Sequence, residues 1–277
     1  MPNYPPCRAP LDGSRPRRPL VKLGCCAYSY REKLQAGEMT MTGFLDECVK
    51  LEFDGVELTS YYFAEADRGE VLKLKRECFV RGLEVSGTAV GTNFCNPDDD
   101  ARRADVQKTR QWMYYGSIMG APFIRVFAGG PAEGDTEQAA FERCVACLEE
   151  LLPHAEAHGI VIGLENHGGI TSTAEQVERI VRAVTDSPWL CINLDTGNYK
   201  EPERELPMTA PHVLTVHAKR RHRGTDGEMH DVDYDLVRRV LADEGYRGYI
   251  NMEYEEPEDP MTGVPSFMEV LKRAFRG

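Results

Sequence analysis

The feature that most constrains the fold of this chain is a regular alternation between short apolar segments and longer amphipathic segments. Eight short segments from residue 21 onward predict strands, and segments of helical periodicity separate them. Repeated without a break in composition, this alternation favours a closed parallel (β/α)₈ barrel over an open doubly wound sheet. We place the strands at Val21–Tyr28, Gly55–Thr59, Glu84–Val90, Phe123–Ala128, Ile160–Asn166, Leu190–Asp195, Val213–Lys219 and Tyr249–Glu255.

The segments between the strands carry specific helix signals. Ser172 and Glu175, three residues apart, predict a capping box at a helix start. Gly82 and Gly159 each stand between a helix and a strand, where a left-handed residue is expected. One helix is predicted to face the sheet with an apolar stripe at Phe141, Val145, Leu148 and Leu152.

The length of the chain fits one barrel. Its 277 residues exceed the roughly 250 of a typical TIM barrel by a short extension. We therefore expect a flexible N-terminal extension at residues 1–20, rich in Pro and Arg, and a single TIM barrel at residues 21–277. No apolar run follows the early arginines as in a signal peptide, and no stretch has the length of a membrane span. A soluble, cytoplasmic protein is expected.

Charge and cysteine usage narrow the function classes. The net charge of −12 disfavours a protein that grips nucleic acid, which needs a basic face. It is compatible with a small-molecule substrate and leaves a homo-oligomer open. The nine cysteines are odd in number and form no zinc-ribbon pairs, so buried reduced thiols are expected, including Cys48, Cys78, Cys144, Cys147 and Cys191.

Ionisable residues end four consecutive predicted strands. They are Glu165, Asp195, His217 and Glu253. Side chains alternate along a strand, so pointing these four into the lumen sends Leu164, Leu194, Val216 and Met252 outward under the helices. The opposite parity would bury unpaired charges beneath apolar helices, which is far costlier. Because strand C-termini carry the active site in such barrels, we expect the four residues to meet there.

Three carboxylates and an imidazole in one place need a positive charge between them. A divalent metal is the simplest candidate, and the oxygen-rich ligand set suits Mn²⁺ first, with Mg²⁺, Co²⁺ or Zn²⁺ as alternatives. The competing interpretation is a set of internal salt bridges to Arg125 or Lys219. Glu57 and Arg125 share the lumen parity, and we expect them to form an interior ion pair.

At these residues the sequence resembles the xylose isomerase-like TIM barrels, the sugar phosphate isomerase/epimerase superfamily that is related to endonuclease IV. The resemblance covers nearly the whole barrel. It rests on four motifs, Gly163-Leu-Glu165-Asn-His167, Asn193-Leu-Asp195-Thr-Gly-Asn198, Val216-His217-Ala-Lys219 and Gly248-Tyr-Ile-Asn-Met-Glu253. It implies one metal held by Glu165, Asp195, His217 and Glu253.

The ketose 3-epimerases of this superfamily imply roles for several residues. Glu165 and Glu253 would be the acid/base pair, and Arg223 has the spacing of a substrate-binding arginine. Three positions depart from the epimerase and wider family patterns: Asn198 replaces a substrate-binding histidine, Thr171 a glutamate and Arg220 an aspartate. These departures leave the ketose substrate open.

The function implied is a metal-dependent isomerase or epimerase of a sugar or related polyhydroxy keto compound, acting through an enediolate. Losing a β-hydroxyl from the same intermediate gives a dehydratase, of the inosose or dehydroshikimate type, as the first alternative. A non-catalytic carbohydrate-binding barrel is the second. Endonuclease IV-like cleavage of DNA would need more histidines than His217, His222 and His230, and a basic groove.

Further residues are expected near the mouth of the barrel. His167 is predicted to bind a substrate hydroxyl or to hydrogen-bond a metal ligand. Asn198 is a further candidate for substrate binding. Lys219 either neutralises the enediolate or pairs with Glu255. The loop His222–Asp231, with two glycines, is a candidate lid beside the alternative of a solvated surface loop.

Overall fold

A computed structural model describes residues 21–63, 66–184 and 187–276. The predicted extension at residues 1–20 lies outside the described residues. Eight parallel strands close into a barrel, in the order β1-β10-β7-β6-β5-β4-β3-β2. The barrel strands are β1 (Lys22–Cys26), β2 (Gly55–Thr59), β3 (Glu84–Ala89), β4 (Phe123–Val126), β5 (Val161–Glu165), β6 (Leu190–Asp195), β7 (Val213–Ala218) and β10 (Tyr249–Met252).

The prediction of a (β/α)₈ barrel is therefore confirmed, and the strand positions differ only at their ends. The first strand ends at Cys26 because the chain turns there into a 3₁₀ segment, Ala27–Tyr30. The last strand ends at Met252, although the amide of Glu253 still donates to the carbonyl of Ala218 at 3.0 Å. That hydrogen bond holds Glu253 at the edge of the sheet, so its position is set by the barrel.

Helices surround the barrel. They are α1 (Arg31–Gln35), α2 (Met41–Lys50), α3 (Arg68–Val80), α4 (Asp99–Met119), α5 (Glu137–His158), α6 (Ala174–Ala183), α7 (Pro202–Thr209), α8 (Tyr234–Asp243) and α9 (Pro260–Phe275). Gly82 and Gly159 have φ of 69° and 63°, as predicted. Gly159 directly follows α5, and Gly82 follows Arg81, the C-cap of α3; at both positions the left-handed conformation ends the helix without a Cβ penalty.

Two helix predictions are wrong in register. The capping box of α6 is formed by Thr173 and Gln176, one residue after Ser172 and Glu175, because the chain enters the helix one residue later. In α5 the buried stripe is Ala140, Cys144, Cys147, Leu148, Leu151 and Ala155. Of the predicted stripe only Leu148 is fully buried, and Phe141, Val145 and Leu152 flank the core. Four of these six buried residues are alanine or cysteine, and their small side chains allow the helix to approach its neighbours closely.

The predicted loop His222–Asp231 is instead largely a short antiparallel hairpin. Its strands are β8 (Arg221–Arg223) and β9 (Met229–Asp231), and Gly227, with φ of 84°, lies in the turn. The pairing satisfies backbone groups that a flexible loop would leave to water. The segment is thus an ordered projection beside the barrel mouth.

The hydrophobic core lies between the strands and the helices. The outward residues Leu164, Leu194, Val216 and Met252 are all buried in it, which confirms the strand parity. Among the described residues, seven cysteines are buried free thiols, including Cys48, Cys78, Cys144 and Cys147. Cys191 is disulfide-bonded, so the prediction of a reduced thiol is wrong there, because pairing depends on a proximity in space that sequence spacing does not reveal. Within the described residues, no helix is both long and apolar enough to cross a membrane.

A glycine inside the barrel offers a test of this packing. An added Cβ at Gly87 would lie 2.2 Å from Cε1 of the buried Phe123 ring. We expect Gly87→Ala to lower the free energy of unfolding by about 1–3 kcal/mol, as in other overpacked cores. The same change at Gly43, on the surface of α2 with its nearest contact at 3.4 Å, should raise it by up to about 1 kcal/mol. Urea unfolding measures both, and equal effects would contradict the packing described.

Candidate metal centre

The four strand-end residues converge at one point. Ligand atoms of Glu165, Asp195, His217 and Glu253 all lie within 4.8 Å of one another, and all four side chains are buried. They come from β5, β6, β7 and the residue after β10, which are neighbours around the barrel. The structure thus brings together the four residues predicted from the strand ends.

The imidazole of His217 lies at the centre of this cluster. Its Nδ1 is 3.1 Å from Oε2 of Glu165 and 3.4 Å from Oε2 of Glu253. Its Nε2 is 2.9 Å and 3.0 Å from the two carboxylate oxygens of Glu57. A carboxylate on one ring nitrogen fixes the tautomer and frees the other nitrogen for a metal. Glu57 is therefore placed to orient His217.

A hydrogen-bonded layer supports Glu57 from inside the barrel. The amide nitrogen of Asn251 donates to Oε2 of Glu57 at 3.1 Å and to the hydroxyl of Thr215 at 3.2 Å. The hydroxyl of Ser86 donates to the amide oxygen of Asn251 at 2.8 Å. This interior network, Ser86–Asn251–Glu57–His217, joins β3, β10, β2 and β7 below the cluster.

Glu165 is held by one hydrogen bond and one ion pair. The amide nitrogen of Asn193 donates to its Oε2 at 2.7 Å, and Nε of Arg125 lies 3.3 Å from the same oxygen. The predicted ion pair between Glu57 and Arg125 is wrong: Arg125 pairs with Glu165, and Glu57 serves His217. Parity placed both side chains in the lumen, but it could not say which neighbours they would meet.

Lys219 lies on the other side of the cluster. Its Nζ is 2.7 Å from Oε2 of Glu253 and 3.6 Å from Oδ2 of Asp195, and it also contacts Glu255. The internal salt bridges weighed against a metal are thus present around Glu165 and Glu253. They neutralise the two glutamates, and they leave donor atoms of the cluster without hydrogen bonds.

Two of those atoms are Oδ2 of Asp195 and Nδ1 of His217, which have no hydrogen-bond partner among the described residues. The other carboxylate oxygen of Asp195 accepts from the amide of Gly197 at 2.7 Å. Asn166 holds the backbone of Asp195 through hydrogen bonds of 2.8 Å and 2.9 Å. A buried polar atom without a partner costs free energy, so these two atoms point to a ligand. The donor set fits a divalent cation.

The pKa values of the carboxyl groups in the cluster reflect the fact that buried carboxylates outnumber buried cations there. Burial, together with Glu165 and Glu253, raises the pKa of Asp195 to about 8 against the opposing effect of Lys219. Burial also raises the pKa of Glu165 and Glu253, but Arg125, Lys219 and His217 outweigh it, so both pKa values are lowered. Three buried cations thus face four buried carboxylates, and Asp195 is the one that keeps a proton.

Burial lowers the pKa of His217, but Glu57, Glu253 and Glu165 outweigh it and raise that pKa well above its ordinary value. The same holds for Lys219, where Glu253 and Asp195 overcome burial. Without a metal, His217 is therefore an imidazolium. A divalent cation that displaced the Nδ1 proton of His217 and the proton of Asp195 would leave the total charge of the site unchanged.

The candidate substrate-binding residues are placed unequally. Lys219 touches the cluster directly. Asn198 is half-buried three residues after Asp195, and its amide nitrogen has no partner among the described residues. His167 is exposed and stacks on Phe127, with ring centroids 4.0 Å apart. Arg223 is exposed on the hairpin and donates to the carbonyl of Gly227, so the structure does not bring it to the cluster.

Comparison with known proteins gives the family. The profile described as "Xylose isomerase-like TIM barrel" matches residues 45–274. A curated protein of Mus musculus that bears the name of a hydroxypyruvate isomerase is 26% identical over 175 residues, 56% of this chain and 61% of that protein. An inosose dehydratase of Erwinia tasmaniensis is 25% identical over 230 residues, 69% of this chain and 76% of that protein.

Solved structures agree on the fold. That of a D-psicose 3-epimerase in the presence of D-fructose has a TM-score of 0.73 and 17% identity, and it covers 92% of this chain and 97% of that one. At such identity the likeness shows the fold alone. The match of the family profile to most of the barrel is more specific. The chain belongs to the family of xylose isomerase-like TIM barrels.

Proposed function

We propose that this protein is a divalent-metal-dependent isomerase or epimerase of a small polyhydroxy keto compound. The observation that carries the proposal is the buried cluster of Glu165, Asp195, His217 and Glu253, in which Oδ2 of Asp195 and Nδ1 of His217 have only ion-pair neighbours and make no hydrogen bond among the described residues. These four residues would hold one ion, Mn²⁺ first, because oxygen ligands predominate. When bound, the ion would polarise a substrate carbonyl and so acidify the neighbouring C–H bond.

The chain supplies the proton transfers. Glu165 and Glu253 are both carboxylates at neutral pH, because Arg125 and Lys219 lower their pKa values. Either one can accept the proton from carbon, which leaves an enediolate. The ammonium of Lys219, buried beside Glu253, stabilises negative charge at that position. In low dielectric this fixed positive charge acts more strongly than it would in water.

The fate of the proton decides the reaction. If Glu165 takes the proton and Glu253 passes a proton from the ammonium of Lys219, 2.7 Å away, to the opposite face of the same carbon, the product is the epimer. Glu165 then loses its proton to solvent, and Lys219 regains one from solvent. If Glu165 instead returns its proton to the neighbouring carbon, the product is the isomer. His167, Asn198, Lys219 and Arg223 are proposed as contacts to the hydroxyl groups of the substrate.

A second candidate is a dehydratase of a cyclic keto polyol. Asn198 and Thr171 replace the histidine and glutamate of the epimerases. The hydroxyl oxygen of Thr171 accepts a hydrogen bond of 3.1 Å from the backbone N–H of His167. The 25% identity to an inosose dehydratase over 69% of this chain supports the same alternative. Here the proton leaves to a glutamate as before, and a β-hydroxyl leaves as water after it accepts a proton from the ammonium of Lys219.

The first prediction concerns metal binding. Mn²⁺ at about one hundred times its Kd should stabilise the metal-free protein by about 2.7 kcal/mol, with one ion bound per chain. Asp195→Asn should raise that Kd by at least about 100-fold, since it removes an anionic ligand. Glu255→Gln is the matched control: it also removes a carboxylate beside Lys219, but one outside the cluster. Calorimetry measures both variants, and an Asn variant with normal affinity would remove Asp195 from the site.

The second prediction is the pH dependence of stability. Asp195 keeps its proton to about pH 8 when folded but only to about pH 4 when unfolded, and His217 is likewise more basic when folded. The folded metal-free protein therefore binds more protons than the unfolded chain between about pH 4 and pH 8. Its stability should fall as pH rises through this window, while Mn²⁺ affinity should rise because binding releases those protons. Thermal unfolding with and without Mn²⁺ tests this, and parallel pH profiles would contradict it.

The third prediction concerns the acid/base pair. Glu253→Gln should lower turnover by at least about 100-fold, because an amide cannot accept a proton, while much of the metal binding is kept. Solvent deuterium should enter the substrate at the carbon next to the carbonyl. A panel of ketoses and cyclic ketones in D₂O, followed by proton NMR, measures exchange, epimer, isomer and water loss together. Turnover without exchange would indicate a hydride shift and overturn the proposed proton transfers.

A further inference from the structure

A second cluster of ligand-type groups lies on the far side of the His217 ring. It consists of Cys26, Glu57 and His217, whose ligand atoms are within 4.8 Å of one another. The sulfur of Cys26 is 3.7 Å from Oε1 of Glu57, and Nε2 of His217 is 3.0 Å from the same oxygen. All three side chains are fully buried. None of the proposed proton transfers uses Cys26.

The spacing of these atoms suits a small tetrahedral ion. Metal–ligand bonds of about 2.0–2.3 Å to oxygen, nitrogen and sulfur place neighbouring ligand atoms roughly 3.3–3.7 Å apart. The observed separations of 3.7 Å and 3.0 Å need only small side-chain shifts. A fourth donor is near, since the hydroxyl of Thr59 is 3.4 Å and Oε1 of Glu253 is 3.7 Å from the sulfur.

The two clusters differ in chemistry. The first offers three carboxylates and one nitrogen, whereas the second adds a thiol, which as a thiolate prefers soft ions such as Zn²⁺ or Cd²⁺. Cysteine binds a metal as the thiolate, so an ion at this position must displace the thiol proton of Cys26. Binding of a soft ion would release two protons to solvent, one from the sulfur and one from Nε2, with no change of oxidation state.

The ring of His217 connects the two positions. The first cluster uses Nδ1, with Nε2–H donating to Glu57; the second needs Nε2, which leaves Nδ1–H facing Glu165 and Glu253. A neutral imidazole has a single lone pair on its ring nitrogens for a metal. One ring can therefore serve one position at a time.

We propose that Cys26, Glu57 and Nε2 of His217 form a second cation position, selective for thiophilic divalent ions, whose occupation expels the ion from the first. The antagonism rests on the proposed metal site at Glu165, Asp195, His217 and Glu253, whereas the second position stands on its own three residues. A soft ion at Cys26 would act as an inhibitor, because it turns His217 into a donor towards the carboxylates that bind the first ion.

The test is a Cd²⁺ titration of the metal-free protein, followed by ultraviolet thiolate-to-metal charge-transfer absorption. One Cd²⁺ should bind with this absorption in the wild type and in Cys25→Ser. Cys25 is the matched control, a neighbouring buried thiol whose sulfur faces the carbonyl of Cys26 instead of the cluster. Cys26→Ser should abolish the absorption and still bind one Mn²⁺. If circular dichroism shows that Cys26→Ser does not fold, Cys26→Ala takes its place in the titration.

Electron paramagnetic resonance of bound Mn²⁺ tests the antagonism. One equivalent of Cd²⁺ should release Mn²⁺ from the wild type, and Cys26→Ser should need at least about tenfold more Cd²⁺. Release without thiolate absorption would place Cd²⁺ in the first position and overturn the proposal. Absorption with Mn²⁺ retained would overturn the antagonism. If Mn²⁺ does not bind at all, the proposed function fails, while the Cd²⁺ absorption still decides the site at Cys26.

Discussion

An imbalance of buried charge is the constraint on which this barrel depends. Within the described interior, four carboxylates meet three cations at the C-terminal ends of the strands: Glu57, Glu165, Asp195 and Glu253 face Arg125, His217 and Lys219. Two ion pairs account for two of the carboxylates: Nε of Arg125 lies 3.3 Å from Glu165, and Nζ of Lys219 lies 2.7 Å from Glu253. The remaining carboxylate can be accommodated only by keeping a proton or by accepting a further cation. The fold thus maintains a site whose charge is balanced either by an added proton or by a further cation.

Much of this could be predicted from the strand ends. The alternation of apolar and ionisable residues determined which side chains face the lumen, and parallel strands bring their carboxyl ends to one rim. The partners inside the lumen were harder to predict. Arg125 and Glu57 have the same parity, but which carboxylate each meets depends on the stagger of the strands, which a single sequence does not contain. Glu57 is the third residue of β2, and nothing in the sequence around it indicates that its carboxylate contacts His217.

Local helix signals were less reliable than strand parity, for a physical reason. The capping boxes at Ser172 and Thr173 are one residue apart, and each has an acidic or amide side chain three residues later. Packing against the barrel decides between them, since propensity alone separates the two by little. In α5 the spacing of the large apolar residues suggests one buried face, but the buried face of the helix includes small residues such as Ala140 and Cys144. The size of the side chains determines how closely a helix can approach its neighbours, and this depends on both packed surfaces, so the sequence of the helix alone does not reveal it.

The network below the cluster has a consequence for how such a barrel can change. Ser86, Asn251 and Glu57 orient His217 from the closed interior, whereas His167, Asn198 and the hairpin that carries Arg223 border the open end. Substrate preference can therefore drift through replacements in the connecting segments, with the imidazole left in place. A replacement in the interior layer would instead disturb every reaction the barrel could support. Replacements that adapt the barrel to new substrates should therefore accumulate at the rim, and these three polar residues should be replaced more slowly.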